Sequence, residues 1–164
     1  MDGEIATQMH KKPDPVLFLD FDGVLHPVGV EALDENFELI ANPLLFCWHS
    51  ILENLLAPYP QMRIIVSSDW RRLFDDTALT HLLGPQLGLR FDGVVECYKD
   101  SRVEEILAEA NRRDLPRWLA LDDHPSVLKA YQAGDSRFLA CHPDKGISDP
   151  QVQRELGRRM ANLV

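Results

Sequence analysis

The sequence predicts an α/β domain, a mainly parallel sheet with helices packed on both faces. Two observations carry that expectation. Short apolar runs alternate along the chain with amphipathic stretches of helical period. Three of those runs end in aspartate or serine, polar types suited to the carboxyl ends of parallel strands, where such sheets place their chemistry. With 164 residues, 45% of them apolar and 26% charged, the chain is long enough for one real core. Residues 15–164 therefore read as one domain behind a loose, flexible tail of residues 1–14.

The first strand lies in the stretch V-L-F-L-D-F-D-G-V-L-H-P, Val16 to Pro27. Its opening residues are nearly all apolar or aromatic, which suits a strand buried on both faces. Residues 24–42 have no clear period and read as a loop or flap. Asn42-Pro43 is a helix start, with Asn as N-cap and Pro at the first helical position. Leu44, Trp48, Ile51, Leu52 and Leu55 extend that helix over residues 43–56, and Pro58 and Pro60 end it. Arg63–Ser68 is the second strand. A broken helix over residues 70–83 follows, stopped by Gly84-Pro85. Phe91–Glu96 is a weaker third strand, interrupted by Gly93.

Ser101 with Glu104 is a capping-box pattern. The helix it opens carries Val103, Ile106, Leu107 and Ala110 on one face. Trp118–Leu121 is a strand ending on Asp122-Asp123. Pro125–Ala133 is a helix closed by Gly134, and Phe138–Cys141 is the fifth strand. Asp149-Pro150 opens a last helix with Val152, Leu156 and Met160 in line.

Composition narrows the function classes. A net charge of −9 disfavours an extensive nucleic-acid-binding face. Cys47, Cys97 and Cys141 are odd in number and far apart, and read as reduced thiols. No apolar run approaches the length of a membrane span. The first fifteen residues lack the apolar core of a signal peptide, so a cytoplasmic protein is expected.

Asp20 and Asp22, Ser67 and Ser68, and Asp122 and Asp123 all fall at strand ends, and Lys99 lies just past the third strand. In an open α/β sheet those ends converge on one crevice. Carboxylates from two strands can hold Mg²⁺, a hard ion that favours oxygen ligands. A hydroxyl and an ammonium can bind phosphate oxygens, and an aspartate can serve as nucleophile.

At these residues the chain resembles the haloacid dehalogenase (HAD) superfamily of phosphohydrolases. The family's first motif, D-x-D-G-x after an apolar strand, matches Asp20-Phe21-Asp22-Gly23-Val24. Its second, a strand ending in Ser or Thr, matches Ile64-Ile65-Val66-Ser67. Its third, a Lys near a helix start, is best met by Lys99. Its fourth, a strand ending in acids, matches Leu119-Ala120-Leu121-Asp122-Asp123. S-S-D-W-R at Ser67–Arg71, R-V-E-E-I at Arg102–Ile106 and K-G-I-S-D at Lys145–Asp149 resemble the small capless HAD domains of bacterial proteins and of multidomain RNA-repair proteins. In that subgroup an Arg opening the helix takes the third motif's place, which makes Arg102 a rival to Lys99.

The resemblance implies a single HAD-like, Rossmann-like domain with a five-stranded sheet and no large cap. It implies phosphomonoester hydrolysis in two steps, with Asp20 as nucleophile and Asp22 as general acid and base. Mg²⁺ would be held by Asp20, the backbone carbonyl of Asp22 and Asp122, with Asp123 orienting a ligand water. Ser67 and Lys99 would hold the phosphate. As proton donor in the first step, Asp22 is expected to have a raised pKa.

Blander readings stand beside these. The aspartates could be turn or capping residues, and one of the two serines could be a cap. Arg71 and Arg72 read as a solvated face, with Arg71 the better placed to touch substrate. His26, His124 and His142 lack ligand spacing and read as surface residues, while Trp48, Trp70 and Trp118 read as core. The gap over residues 24–62 is filled by flap and helix, so the site is expected to be open. That suits a phosphorylated nucleic-acid end or phosphoprotein better than a small metabolite, with the choice left open. Two other classes remain: a receiver-like phosphoacceptor module, and a non-catalytic HAD-like binding module.

Overall fold

The computed structural model describes residues 12–164. Most of the expected tail, residues 1–11, lies outside the described residues. Five strands form one all-parallel sheet: β1 (Val16–Leu19), β2 (Arg63–Val66), β3 (Phe91–Val94), β4 (Trp118–Asp122) and β5 (Phe138–Ala140), in the order β3-β2-β1-β4-β5. Five helices connect or follow them: α1 (His49–Leu56), α2 (Asp76–Leu87), α3 (Arg102–Arg112), α4 (Pro125–Gln132) and α5 (Pro150–Leu163).

The strands sort their side chains by the two-residue period of the pleat. Leu17, Leu19, Ile64, Val66, Leu119 and Leu121 face a core shared with Leu52 of α1, Leu79 of α2 and Leu156 of α5. Val16, Phe18, Ile65, Ala120 and Phe138 face a second core with Ile106 of α3 and Val127 of α4. Both faces are covered, so the strands carry apolar residues throughout. Each fully buried Leu, Ile or Phe contributes about 1.5–3 kcal/mol of hydrophobic stabilisation.

Two elements differ from expectation. The helix expected over residues 43–56 begins at His49. Asn42 does cap a turn, its side chain accepting from the Leu44 N–H at 3.0 Å. Phe46 then takes a left-handed conformation (φ 54°), which an α-helix cannot continue through. The helix expected over residues 70–83 is a 3-10 turn over Asp69–Arg72 followed by α2. Gly84 (φ 83°, ψ 176°) is not helical and stops the first helical segment of α2 as expected, and Pro85 opens a second short one that runs to Leu87. Ser101 caps α3 as expected, its hydroxyl accepting from the Glu104 N–H.

Among the described residues the chain between β1 and α1 holds no cap domain. It forms a flap with one isolated antiparallel bridge, between Leu33 and Leu39. Beneath the sheet, at the amino ends of the strands, the Arg117 guanidinium donates to the Pro13 carbonyl at 2.7 Å and to the Leu163 carbonyl at 3.5 Å. It thus ties the start of β1 to the end of α5.

Candidate active site

Register alone assembles the site. Leu19 of β1 lies beside Val66 of β2 and Leu121 of β4. One residue further on, Asp20, Ser67 and Asp122 therefore stand side by side. Between β1 and β4 the order of connection across the sheet reverses, and such a reversal opens a crevice at the carboxyl ends. A pocket of about 210 Å³ lies there, lined by Asp20, Asp22, Ser68, Asp69, Arg102 and Asp122, with Asp123, His124 and Pro125 completing it.

Asp20, Asp122 and Asp123 each bring one oxygen to within 4.8 Å of the others. Asp20 and Asp122 are buried, so their charge is poorly hydrated. Burial pushes the Asp20 carboxyl up, Arg102 pulls it down, and a hydrogen bond and charge from Asp123 push it up again, to about 7. Burial and then the charge of Asp20 hold Asp122 well above the usual carboxylate range. Asp123 is raised too, chiefly by burial. Gly23 lets the cluster close: its φ is 74°, and a Cβ there would overlap the Asp123 carboxylate.

Arg102 is the cation that the fold brings to these acids. As the first residue of α3 it reaches back over the strand ends. Its Nη1 lies 2.9 Å from Asp122 Oδ2 and 3.5 Å from Asp20 Oδ1, and its Nη2 lies 3.4 Å from Asp69. Lys99 is exposed and does not line the pocket. Ser67 is not among the lining residues either, but it stands beside Asp20 at the end of β2, fully buried, and its hydroxyl has no hydrogen-bond partner among the described residues. Ser68 is the cap of the pair, accepting from the Trp70 N–H at 3.2 Å.

One guanidinium among three carboxylates leaves negative charge uncompensated, and the Ser67 hydroxyl is unspent. The donors are all oxygen. This set fits a hard divalent cation with a phosphate beside it, the cation on Asp20, Asp122 and Asp123. The fit brings Asp123 closer to a ligand position than the resemblance implied, while the Asp22 carboxylate is occupied elsewhere.

Asp22 sits in different surroundings. Oδ1 accepts from His26 Nε2 at 2.7 Å and Oδ2 from Trp70 Nε1 at 2.8 Å, yet the side chain stays 48% exposed toward the pocket. Burial raises its pKa, but the His26 and Trp70 hydrogen bonds together outweigh that and hold it below the usual carboxylate range. The expected rise is thus reversed, because two donors stabilise the ionised form. Each oxygen keeps a second lone pair, so a proton can still be accepted from the open side.

Three other expectations change. His26 is not a surface residue but is completely buried, its Nδ1 accepting from the Phe46 N–H at 3.2 Å. His124 is half-buried and lines the pocket, with Nδ1 accepting from the Ser126 N–H at 3.1 Å. The Arg71 side chain is wholly buried rather than solvated. It donates to the carbonyls of Ser67, Ser68 and Val95 and to Glu105, so it braces the serine loop, and its complete burial keeps it from substrate. Trp70 is core as expected and also a donor to Asp22. The available signal for His26 was its place, a polar ring four residues after Asp22 and directly after the apolar pair Val24-Leu25.

The chain matches the family described as the HAD domain in Swiss Army Knife RNA repair proteins over residues 16–152. No match is found among curated proteins or among solved structures. The family match runs from the first residue of β1 into the first turn of α5, and so includes every residue that lines the pocket. The chain belongs to this family of HAD domains.

Proposed function

We propose that the domain is a Mg²⁺-dependent phosphomonoesterase working through an aspartyl phosphate on Asp20. The observation that carries this reading is the convergence of Asp20, Asp122, Asp123 and Arg102 on one small pocket, with the differently held Asp22 on its wall. In the first step an Asp20 oxygen bonds to phosphorus while the bond from phosphorus to the ester oxygen breaks. Asp22 gives a proton to that leaving oxygen from its protonated form, a minor population that the His26 and Trp70 hydrogen bonds make a strong acid. In the second step water attacks the phosphoaspartate, Asp22 takes the water's proton, and inorganic phosphate leaves with Asp20 restored.

Arg102, rather than Lys99, binds the non-bridging phosphate oxygens with the Ser67 hydroxyl and stabilises charge developing there. Mg²⁺, held by Asp20, Asp122, Asp123 and the Asp22 backbone carbonyl, would neutralise charge between the anionic nucleophile and the anionic phosphate.

A pocket of about 210 Å³ has room for a phosphate and little more. Without a cap domain over it, the site suits a phosphate carried at the end of a bulky molecule. The family's description, in RNA repair proteins, favours a phosphorylated RNA end, with a phosphoprotein as the competing class. The charge of −9 restricts such a contact to the region around the pocket. A cytoplasmic site of action goes with this reading.

The deciding experiment is phosphate release from an aryl phosphate, with Mg²⁺ and with chelator, by the wild type and Asp20→Asn. Metal-dependent turnover lost in the variant is expected, and unchanged activity in Asp20→Asn overturns the mechanism. A stable phosphoprotein without turnover points instead to a receiver-like phosphoacceptor, although the strand order here is that of Rossmann-type rather than receiver-type sheets. Oligonucleotides phosphorylated at either end, run beside a phosphopeptide, separate the substrate classes.

A further inference from the structure

We infer that His26 and Trp70 are positioning residues for Asp22, and that the flap fixes them in that role through Phe46. The inference rests on the general acid and base role proposed above for Asp22.

The chain of contacts is continuous. The Phe46 N–H can only donate, so His26 Nδ1 must accept. The ring proton then belongs on Nε2, where it meets Asp22 Oδ1 at 2.7 Å. Trp70 Nε1, which is always a donor, takes the other oxygen at 2.8 Å. Two fixed donors on two oxygens determine both the rotation of the carboxylate and its distance from Asp20.

Packing holds the donors in turn. The Phe46 ring lies edge-on to His26 at 5.2 Å, to Phe21 at 5.1 Å and to Trp70 at 5.4 Å. Packing alone would be served equally well by Leu or Phe at position 26. What packing does not require is a fully buried imidazole with both nitrogens in hydrogen bonds, ending on a half-exposed carboxylate in the pocket. Nor does it require the left-handed backbone at Phe46, a strained conformation for a bulky residue. That conformation aims the Phe46 N–H at His26 and ends the helical path before α1. The flap is therefore coupled to the proton-transfer group without touching substrate.

A positioning role for an acid has a signature that a packing role lacks. A nitrophenolate leaves without a proton, whereas an alkoxide needs one. Steady-state kinetics on p-nitrophenyl phosphate and on a simple alkyl phosphate should therefore be compared for the wild type, Trp70→Phe, His26→Leu and His26→Gln.

Trp70→Phe keeps a large ring and loses only the donor. Its kcat/KM on the alkyl ester, which covers the steps up to loss of the alcohol and not the later hydrolysis in which Asp22 is the base for every ester, should fall by about 10-fold or more, a share of the roughly 100-fold or greater effect of general acid catalysis. On the aryl ester it should stay within about threefold. His26→Leu should show the same split, and His26→Gln, which can still donate from its amide, should recover part of it. Equal losses of kcat/KM on both esters, or no loss on either, overturn the inference. If His26→Leu does not fold, Trp70→Phe decides alone.

Asp22→Asn separates the two readings. A leaving-group split there with none in Trp70→Phe overturns the positioning role only. Wild-type turnover that survives Asp20→Asn overturns the mechanism beneath it, and this inference with it.

Discussion

Asp20 and Asp22 are the same residue type two positions apart, yet their surroundings push them in opposite directions. Asp20 shares a buried corner with Asp122 and Asp123, where burial and neighbouring negative charge raise all three against a single guanidinium. Asp22 stands on a half-open wall between two N–H donors that hold its charge in place. One corner is short of positive charge and suited to gathering a cation and a phosphate. The other is supplied with donors and suited to moving one proton in a fixed direction. Separating the proton affinities of neighbouring carboxylates is a general way of dividing chemical roles.

The strongest way to break this contrast is to neutralise the corner. Asp20→Asn or Asp122→Asn should reduce phosphate release by at least about 1,000-fold in a steady-state assay, since each removes part of the charged centre. Removing the Arg102 guanidinium comes next. Arg102→Met should lower kcat/KM by about 100- to 1,000-fold, the range for losing a transition-state donor. Lys99→Met should stay within about twofold, and a large loss in Lys99→Met with a small one in Arg102→Met would restore the lysine to the phosphate.

Gly23→Ala tests the closeness of the cluster. A positive φ together with overlap on the Asp123 carboxylate should cost about 1–3 kcal/mol, visible as a lowered melting temperature. A melting point unchanged from wild type would mean that the turn relaxes freely.

The smallest effect sharpens the electrostatics. The Asp20 carboxyl, raised to about 7 in the metal-free fold, favours folding while it is protonated. That contribution is complete below the unfolded-state pKa and is lost as pH rises through about 7. The metal-free protein should therefore lose stability from pH 5 to pH 8, and the melting-point gain from Mg²⁺ should be larger at pH 8 than at pH 6, because at pH 6 a proton must first leave. A gain that is equal at both values would remove Asp20 from the metal's ligands.

What could be read from the chain followed where local chemistry decides. Apolar runs ending in Asp or Ser located β1, β2 and β4, because strands buried on both faces leave little room for other patterns. Ser101 marked the start of α3, because its cap is a short-range interaction. Asn42-Pro43 carried an equally good start signal, and it does cap a turn. Phe46 overrode it: its left-handed backbone breaks the helical path, and its ring and N–H meet Phe21, Trp70 and His26, residues up to 25 positions away.

Lys99 and Arg102 look alike as cations near a helix start, and only the direction of α3 distinguishes them. The surroundings of Asp22 were illegible for the same reason. Trp70 Nε1 comes from 48 residues away, and no local pattern marks a core indole as a donor.

The Arg117 bridge has a consequence for how such a domain can be joined to others. It brings Pro13 and Leu163 to one guanidinium at the amino ends of the strands, whereas the pocket opens at the carboxyl ends. Polypeptide spliced on after Leu163 would leave from the underside of the sheet. The domain could hang from a larger assembly like a tool held by its handle, its working edge facing away from whatever carries it.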